Sequence, residues 1–417
     1  MKYIINGGNK LEGEVTISGN KNAIFPCVAA ALLTDEEVIL ENIPDIKDTE
    51  SLIEILISLG IKVEKTSSIL KIQATKINQI SLPKDLMGKL RGSIVLVGAI
   101  LTRMGKVHFY HPGGDIIGKR SIETHLAGFK RLGAILKKKE SEFRLNYQGI
   151  NKDCTLFLPE ASVTACENLI LVSVLGKKVV ILKNCPKEPH IQDLCKMLIA
   201  MGAKIEGVGT DTVKVTGVSK LAGTKFRIGI DYVEVGTYAV AAAITSGKIT
   251  IKGIDATDLD PVVEPLKRFG LKVVTDEKSI TVSCDKLTSI PKLTTNLWPG
   301  FPTDLMSVAI VLATQSAGVS LCHDWMYEGR MFFVDKLISM GAQVSLADPH
   351  RVFVYGPTRL KGRDLSSPDI RAGMALVLAA LVAKGKSVIN QAELIERGYE
   401  KVSEKLKKLG AEIERVK

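Results

Sequence analysis

A chain of 417 residues with 46% hydrophobic content can fill two or three ordinary domains, each with its own core. Its longest uncharged apolar run, residues 372–383, is too short to span a membrane, and the opening MKYIINGGNKLEGE has no apolar export signal, so a soluble cytoplasmic protein with no membrane partner is expected. The net charge of +11 comes with only 5% aromatics and dispersed lysines, which favours small anions over nucleic acid, and seven scattered cysteines without a Cys-x-x-Cys pair read as reduced thiols rather than a metal site.

Read from the N-terminus, one phrase recurs at the end of six amphipathic segments: LGIKV, LGAIL, MGAKI, FGLKV, MGAQV and LGAEI. Its glycines, at 60, 133, 202, 270, 341 and 410, lie 73, 69, 68, 71 and 69 residues apart, so six units of one repeat account for nearly the whole chain. Each unit starts with a helix apolar nearly all round, at residues 23–33, 93–101, 164–175, 237–244, 305–313 and 372–383. A helix without a polar face has to be buried. A strand follows (EEVILEN, GKVHFY, GKKVVIL, GKITIKG, GVSLCH, GKSVIN), then a surface helix striped on one side, as in Tyr399, Val402, Leu406 and Leu409. The repeated glycine suits a left-handed cap to that helix, and alternating segments such as VKVTG and FVYG supply a hairpin.

The sixth unit stops before its second hairpin strand. YIINGGNKLEGEVTISG, residues 3–19, has the length and the glycine and leucine placement of VKVTGVSKLAGTKFRIG, residues 213–229, so the chain's start is expected to complete its last unit. Two three-repeat domains follow: residues 21–228, and residues 1–20 with 229–417. A cleft between them would be the natural site.

The unusual residues fall at the N-termini of the buried helices: Lys21 and Asn22, Arg91, Ser162 and Val163, Asp231 and Glu234, Asp304, and Asp369 with Arg371. Each such end offers unpaired N–H groups and a partial positive charge, worth roughly 0.3–1 kcal/mol to a nearby anion. Asp304 and Asp369 also read as plain N-caps. Lys21, Arg91 and Arg371 do not, because a cation opposes the dipole there; an anionic ligand explains them better. Arg120 and Arg397 would join them from loops. Arg120 ends the glycine-rich stretch HPGGDIIGKR, residues 111–120, which can close over an anion while presenting Asp115 to it. Residues 113–119 also match G-x-x-x-x-G-K, but Arg120 stands where a phosphate-binding P-loop needs Ser or Thr for magnesium.

The sixfold repeat, with GNKNA at 19–23, LRGS at 90–93, PGG-x-x-x-G-x-R at 112–120, FPTD at 301–304, DIR at 369–371 and ERGYEKVSEKLKKLGAEIE near the end, resembles the UDP-N-acetylglucosamine 1-carboxyvinyltransferase family of enolpyruvyl transferases from end to end. The resemblance implies an inside-out α/β barrel: two pseudo-threefold domains, each with three buried helices ringed by sheets and outer helices. It implies that phosphoenolpyruvate gives its enolpyruvyl group to the 3′-hydroxyl of UDP-N-acetylglucosamine, opening peptidoglycan synthesis, with no metal or organic cofactor. Lys21, Arg120 and Arg397 would hold the phosphate. Arg91, Arg371 and Arg397 would lie near the carboxylate and the intermediate. Asp304 would take or orient the hydroxyl proton, Asn22 would bond the intermediate, and Asp115 and Asp369 would serve the proton transfers at C3. Uridine and sugar contacts would map to Ser162, Val163, His125, Tyr327 and Glu328. The related shikimate-phosphate enzymes share the repeat but not these glycine motifs, and a catalytically silent nucleotide-sugar binder would have lost the phosphate-holding cations.

Three departures stand out. Asp115 replaces the cysteine that most of the family carries, so the resemblance implies an enzyme without a thioether adduct and insensitive to fosfomycin, which alkylates that cysteine. Aspartic acid is almost wholly ionised at pH 7, so loop closure around a dianionic substrate would have to return a proton to it. Glu160 and Thr164 stand where Lys and Gly are frequent, which bears on the diphosphate and uridine contacts. EGR at 328–330 replaces Glu-Asn-Arg, and Gly329 is expected to loosen that turn.

Overall fold

The computed structural model describes residues 1–115, 117–254 and 259–417; Ile116, in the glycine-rich stretch, lies outside the described residues. The chain divides into two compact units, one of Met1–Ser18, Asp115–Lys119 and Ile230–Lys417, the other of Gly19–Gly114 and Arg120–Gly229.

In the unit built on Gly19–Gly114, the helices Lys21–Ala31, Leu96–Met104 and Val163–Ser173 touch one another. Apart from residues at their ends, they are buried all round. In the other unit Met306–Gln315 contacts both Tyr232–Ile244 and Ile370–Val382. Each fully buried Leu or Ile on these helices contributes roughly 1.5–3 kcal/mol of transfer free energy, which overrides the absence of a polar face. The outer helices are one-sided: Lys47–Ser58 buries Leu52, Ile55 and Leu56 and exposes Ile57. All six repeated glycines are left-handed, with φ between +83° and +103°, and their amides close the preceding turn.

Among the described residues the strands form six separate sheets, five of four strands and one of three, and none closes into a barrel. What the expected barrel amounts to is inner helices packed against open sheets. Four of the six repeats run strand, buried helix, parallel strand. Cys154–Phe157 pairs with Val179–Lys183 across its helix, Lys292–Thr294 with Gly318–His323, and Asp364–Ser366 with Lys386–Asn390. Ser81 and His108 make the same link as a single bridge.

The other two repeats exchange their leading strands. Glu12–Thr16 precedes the Lys21–Ala31 helix but pairs with Lys248–Lys252, while Lys225–Arg227 precedes the Tyr232–Ile244 helix but pairs with Glu37–Glu41. The opening strand Lys2–Asn6 lies antiparallel between Lys386–Asn390 and Glu412–Val416, with Lys2 opposite Val416, and so completes the last hairpin.

Candidate active site

In the unit containing Ile230–Lys417, the 3-10 turn Thr303–Leu305 places Asp304 against two arginines. Asp304 is not an N-cap. Its Oδ2 accepts from Arg371 Nε at 3.0 Å and Nη2 at 2.8 Å, and its Oδ1 from Arg330 Nη2 at 3.1 Å. Both arginines are only 4% exposed. Burial works against their charge, but Asp304 leads the nearby carboxylates in outweighing it and holding both above the usual arginine range. Arg371 also lies over the Tyr399 ring at 5.3 Å, and Arg330 over Tyr327 at 5.3 Å.

Asp369 does cap its helix, accepting from the amides of Arg371 at 2.8 Å and Ala372 at 2.9 Å. Burial pushes its carboxyl up; those amides and Arg330 hold it back, and the charge of Asp115 raises it further. Asp115 itself meets Arg397, Nη1 to Oδ1, at 2.8 Å. The unit therefore gathers Asp115, Asp304, Asp369, Arg371 and Arg397, drawn from four separate stretches of chain.

The Asp115–Lys119 segment is held in this unit by backbone contacts. Glu328 Oε1 accepts from the Lys119 amide at 2.8 Å, which leads the interactions keeping its carboxyl below the usual range, and the Gly329 amide donates to Ile117 O at 2.9 Å. A Cβ on Gly329 would stand 2.7 Å from the Ile117 carbonyl carbon, so the missing side chain permits a close approach instead of loosening the turn. Tyr327 and Glu328 thus both lie beside the cluster, one under Arg330 and one on the segment. Of the helix-end acids read from the sequence, Asp231 caps Tyr232–Ile244, and buried Glu234 is taken up by the Ser18 amide at 2.8 Å and by Lys405. Glu234 is thus tied into the fold.

In the other unit, Lys21 opens its helix beneath the Asn20 cap, whose Oδ1 accepts from the Asn22 amide at 2.8 Å, and its Nζ pairs with Asp48 at 2.9 Å. Arg91 reaches the backbone around the glycine-rich stretch, Ser121 O at 3.0 Å and Pro112 O at 3.4 Å. Gly113 and Gly114 are needed there: a Cβ would lie 1.7 Å from Gly88 O at the first and 2.9 Å from Arg91 Cβ at the second, which has φ +108°. Arg120 is half-exposed at the end of the stretch. Ser162 occupies the N-cap of Val163–Ser173 without a side-chain cap bond, and Ser162 and Val163 are both half-buried. Glu160 accepts the Ser162 amide through its carbonyl at 2.7 Å.

His125, expected among the sugar contacts, is 1% exposed, and both its ring nitrogens are engaged within the fold: Nδ1 faces Asn168 Nδ2 at 3.0 Å and Nε2 faces Thr164 Oγ1 at 3.1 Å. The Asn168 amide can only donate, so the imidazole is neutral with its proton on Nε2, and burial, helped by Arg91, lowers its pKa to about 3. Asn168 also takes the Gly98 amide at 2.7 Å, where a Cβ on Gly98 would strike it, so His125, Thr164 and Asn168 form an inner-helix clamp.

Sequence reasoning passed over Arg330 and Asp324 as site residues. The available signal was an arginine immediately ahead of MFFV and an aspartate ending a buried strand, both costly to bury unless paired. No group of residues suited to a metal ion occurs among the described residues, and no helix there is long and apolar enough to cross a membrane.

Two α/β units with buried helix triplets, and carboxylates clamped by buried arginines at helix ends, describe a group-transfer enzyme acting on anions. The family described as EPSP synthase (3-phosphoshikimate 1-carboxyvinyltransferase) matches residues 5–406, and the chain belongs to this family of enolpyruvyl transferases. UDP-N-acetylglucosamine 1-carboxyvinyltransferase of Borrelia garinii is 46% identical over 423 residues, covering 100% of this chain and 99% of its own length. The enzyme of that name from Bradyrhizobium diazoefficiens is 44% identical over 100% of this chain and 98% of its own. Among solved structures, the enolpyruvyl transferase NikO from Streptomyces tendae matches with a TM-score of 0.89 at 25% identity, over 99% of this chain and 98% of its own. EPSP synthase from Acinetobacter baumannii shares the fold, with a TM-score of 0.76 at 16% identity over 99% of this chain and 100% of its own.

Proposed function

We propose that the protein transfers the enolpyruvyl group of phosphoenolpyruvate to the 3′-hydroxyl of UDP-N-acetylglucosamine and releases phosphate, the first committed step of peptidoglycan synthesis. The observation that carries this reading is the setting of Asp304, whose two oxygens are fixed by Arg371 and Arg330 in the same unit as the Arg397–Asp115 pair. The acceptor is inferred from the full-length likeness to relatives named for that nucleotide sugar.

In this mechanism Asp304 orients the acceptor hydroxyl and takes its proton as oxygen attacks C2 of phosphoenolpyruvate. Arg397, with Lys21 and Arg120, holds the phosphate; Arg371 and Arg91 face the carboxylate and the developing intermediate. C3 gains a proton, the tetrahedral intermediate forms, and breaking the C2–O bond to phosphate while C3 returns a proton yields the enol ether. Asp115 begins as the partner of Arg397, and substrate phosphate competes for that guanidinium. Asp115 and Asp369, the latter with its carboxyl raised by burial, serve the proton transfers at C3. Asn22 bonds the intermediate, and Ser162, Val163, Tyr327 and Glu328 take the nucleotide sugar.

The reading includes a cytoplasmic setting, supported by seven free cysteines, six of them buried. The test is phosphate release from phosphoenolpyruvate with UDP-N-acetylglucosamine and, separately, with shikimate 3-phosphate. Turnover with only the first is expected; turnover with only the second would reassign the acceptor.

A further inference from the structure

We infer that Asp324 and Arg330 are positioning residues that set the plane of the Asp304 carboxylate for its reaction with the acceptor hydroxyl; the inference rests on the reading of Asp304 just given. Arg371 grips Oδ2 with two nitrogens, and a carboxylate held at one oxygen can still turn about that attachment. Arg330 Nη2 on Oδ1 at 3.1 Å stops the turn.

Arg330 is itself held. Its Nε lies 3.6 Å from Asp324 Oδ2, an ion pair rather than a hydrogen bond, and its guanidinium rests against the Tyr327 ring. Asp324 is fully buried and tied down on every side. Its amide donates to His350 O at 2.8 Å, its carbonyl meets His350 Nδ1 at 2.7 Å, and its Oδ1 accepts the Met326 amide at 2.9 Å. Its Oδ2 also accepts the hydroxyl of Thr303, the residue just before Asp304. Asp324 therefore holds Asp304 by two routes, the backbone turn through Thr303 and the side chain through Arg330. A core ion pair needed only for folding would not converge on one reactive carboxylate from both directions.

The experiment measures kcat and KM for Arg330→Met, Arg330→Lys, Asp324→Asn and Thr303→Val, each alone and combined with Asp304→Asn. Arg330→Met is expected to lower kcat by about 100-fold, the scale of a misplacement near 1 Å. KM for the nucleotide sugar should move by less than about threefold, because the interaction lost is one made in the transition state. Arg330→Lys should recover part of kcat. In the Asp304→Asn background none of the substitutions should cost more, since each acts through that carboxylate.

Thr303→Val removes one hydroxyl and keeps its shape, so it serves if Arg330→Met does not fold. A kcat loss near tenfold that vanishes beside Asp304→Asn is expected of it. Normal kcat in the single variants, or losses that multiply fully with that of Asp304→Asn, would overturn the inference and leave the function standing. Wild-type protein silent with both acceptors would overturn the two together.

Discussion

Arg397 Nη1 meets Asp115 Oδ1 at 2.8 Å, each side chain about four-fifths covered, so the carboxylate of the glycine-rich stretch is one half of an ion pair. A carboxylate in that place cannot form a thioether.

Two outcomes follow for position 115. Asp115→Asn, which keeps the shape and loses the exchangeable proton, is expected to cut turnover about 10²–10⁴-fold in the phosphate-release assay, the usual contribution of a positioned acid. Intact-mass measurement after incubation with fosfomycin should show no adduct on the wild-type protein and a stoichiometric one on Asp115→Cys. Near-normal turnover in the Asn variant would remove Asp115 from the chemistry.

Asp304→Asn removes the carboxylate charge that two buried guanidiniums share and leaves the hydroxyl without its proton acceptor. A kcat loss of about 10²–10³-fold is expected, with ligand-induced thermal stabilisation by UDP-N-acetylglucosamine retained. Loss of nucleotide-sugar binding with kcat otherwise normal would assign Asp304 to recognition instead.

His125 makes stability depend on pH. Its pKa is about 3 in the folded chain against an ordinary 6.5, so the unfolded chain binds a proton that the folded one refuses. The stabilising effect is whole above pH 6.5 and is lost as pH falls toward 3, with a slope approaching about 1.4 kcal/mol per pH unit. Urea unfolding at steps between pH 6.5 and 4.5 should therefore show a shallower acid decline in His125→Gln than in wild type. The variant should also be less stable at neutral pH, by roughly 1–3 kcal/mol, because the Asn168 amide loses its acceptor. Parallel curves would contradict the assignment.

Gly329→Asn should displace the Ile117–Lys119 backbone, since a Cβ there meets Ile117 at 2.7 Å. Faster limited proteolysis within Asp115–Lys119 and a lower kcat are expected, with unfolding midpoint little changed. Unaltered cleavage would mean that the segment finds another path over Glu328.

The repeat was legible because its marker is a backbone requirement: residues 60, 133, 202, 270, 341 and 410 all need positive φ, and glycine meets it at each. The inner helices were legible from their lack of a polar face. The exchange of Glu12–Thr16 for Lys225–Arg227 was not, because both strands look alike in sequence and only tertiary pairing tells them apart. Asp304 looked like a helix cap since Thr-Asp before an apolar run is a capping pattern; its arginine partners lie 26 and 67 residues away. The burial of His125 was not legible, because resemblance to other chains carries position but not packing. Asn168, facing it from the next inner helix, looked like any polar residue on an apolar segment.

The exchanged strands, together with Lys2 lying opposite Val416, suit the chain to circular permutation. A circular permutant joined from Lys417 to Met1 by a short linker and opened between Ser18 and Gly19 would spell residues 19–229 first and everything else after them. Apart from Asp115–Lys119, each lobe would then be one unbroken reading of the gene, joined by a single connection where the natural order needs two.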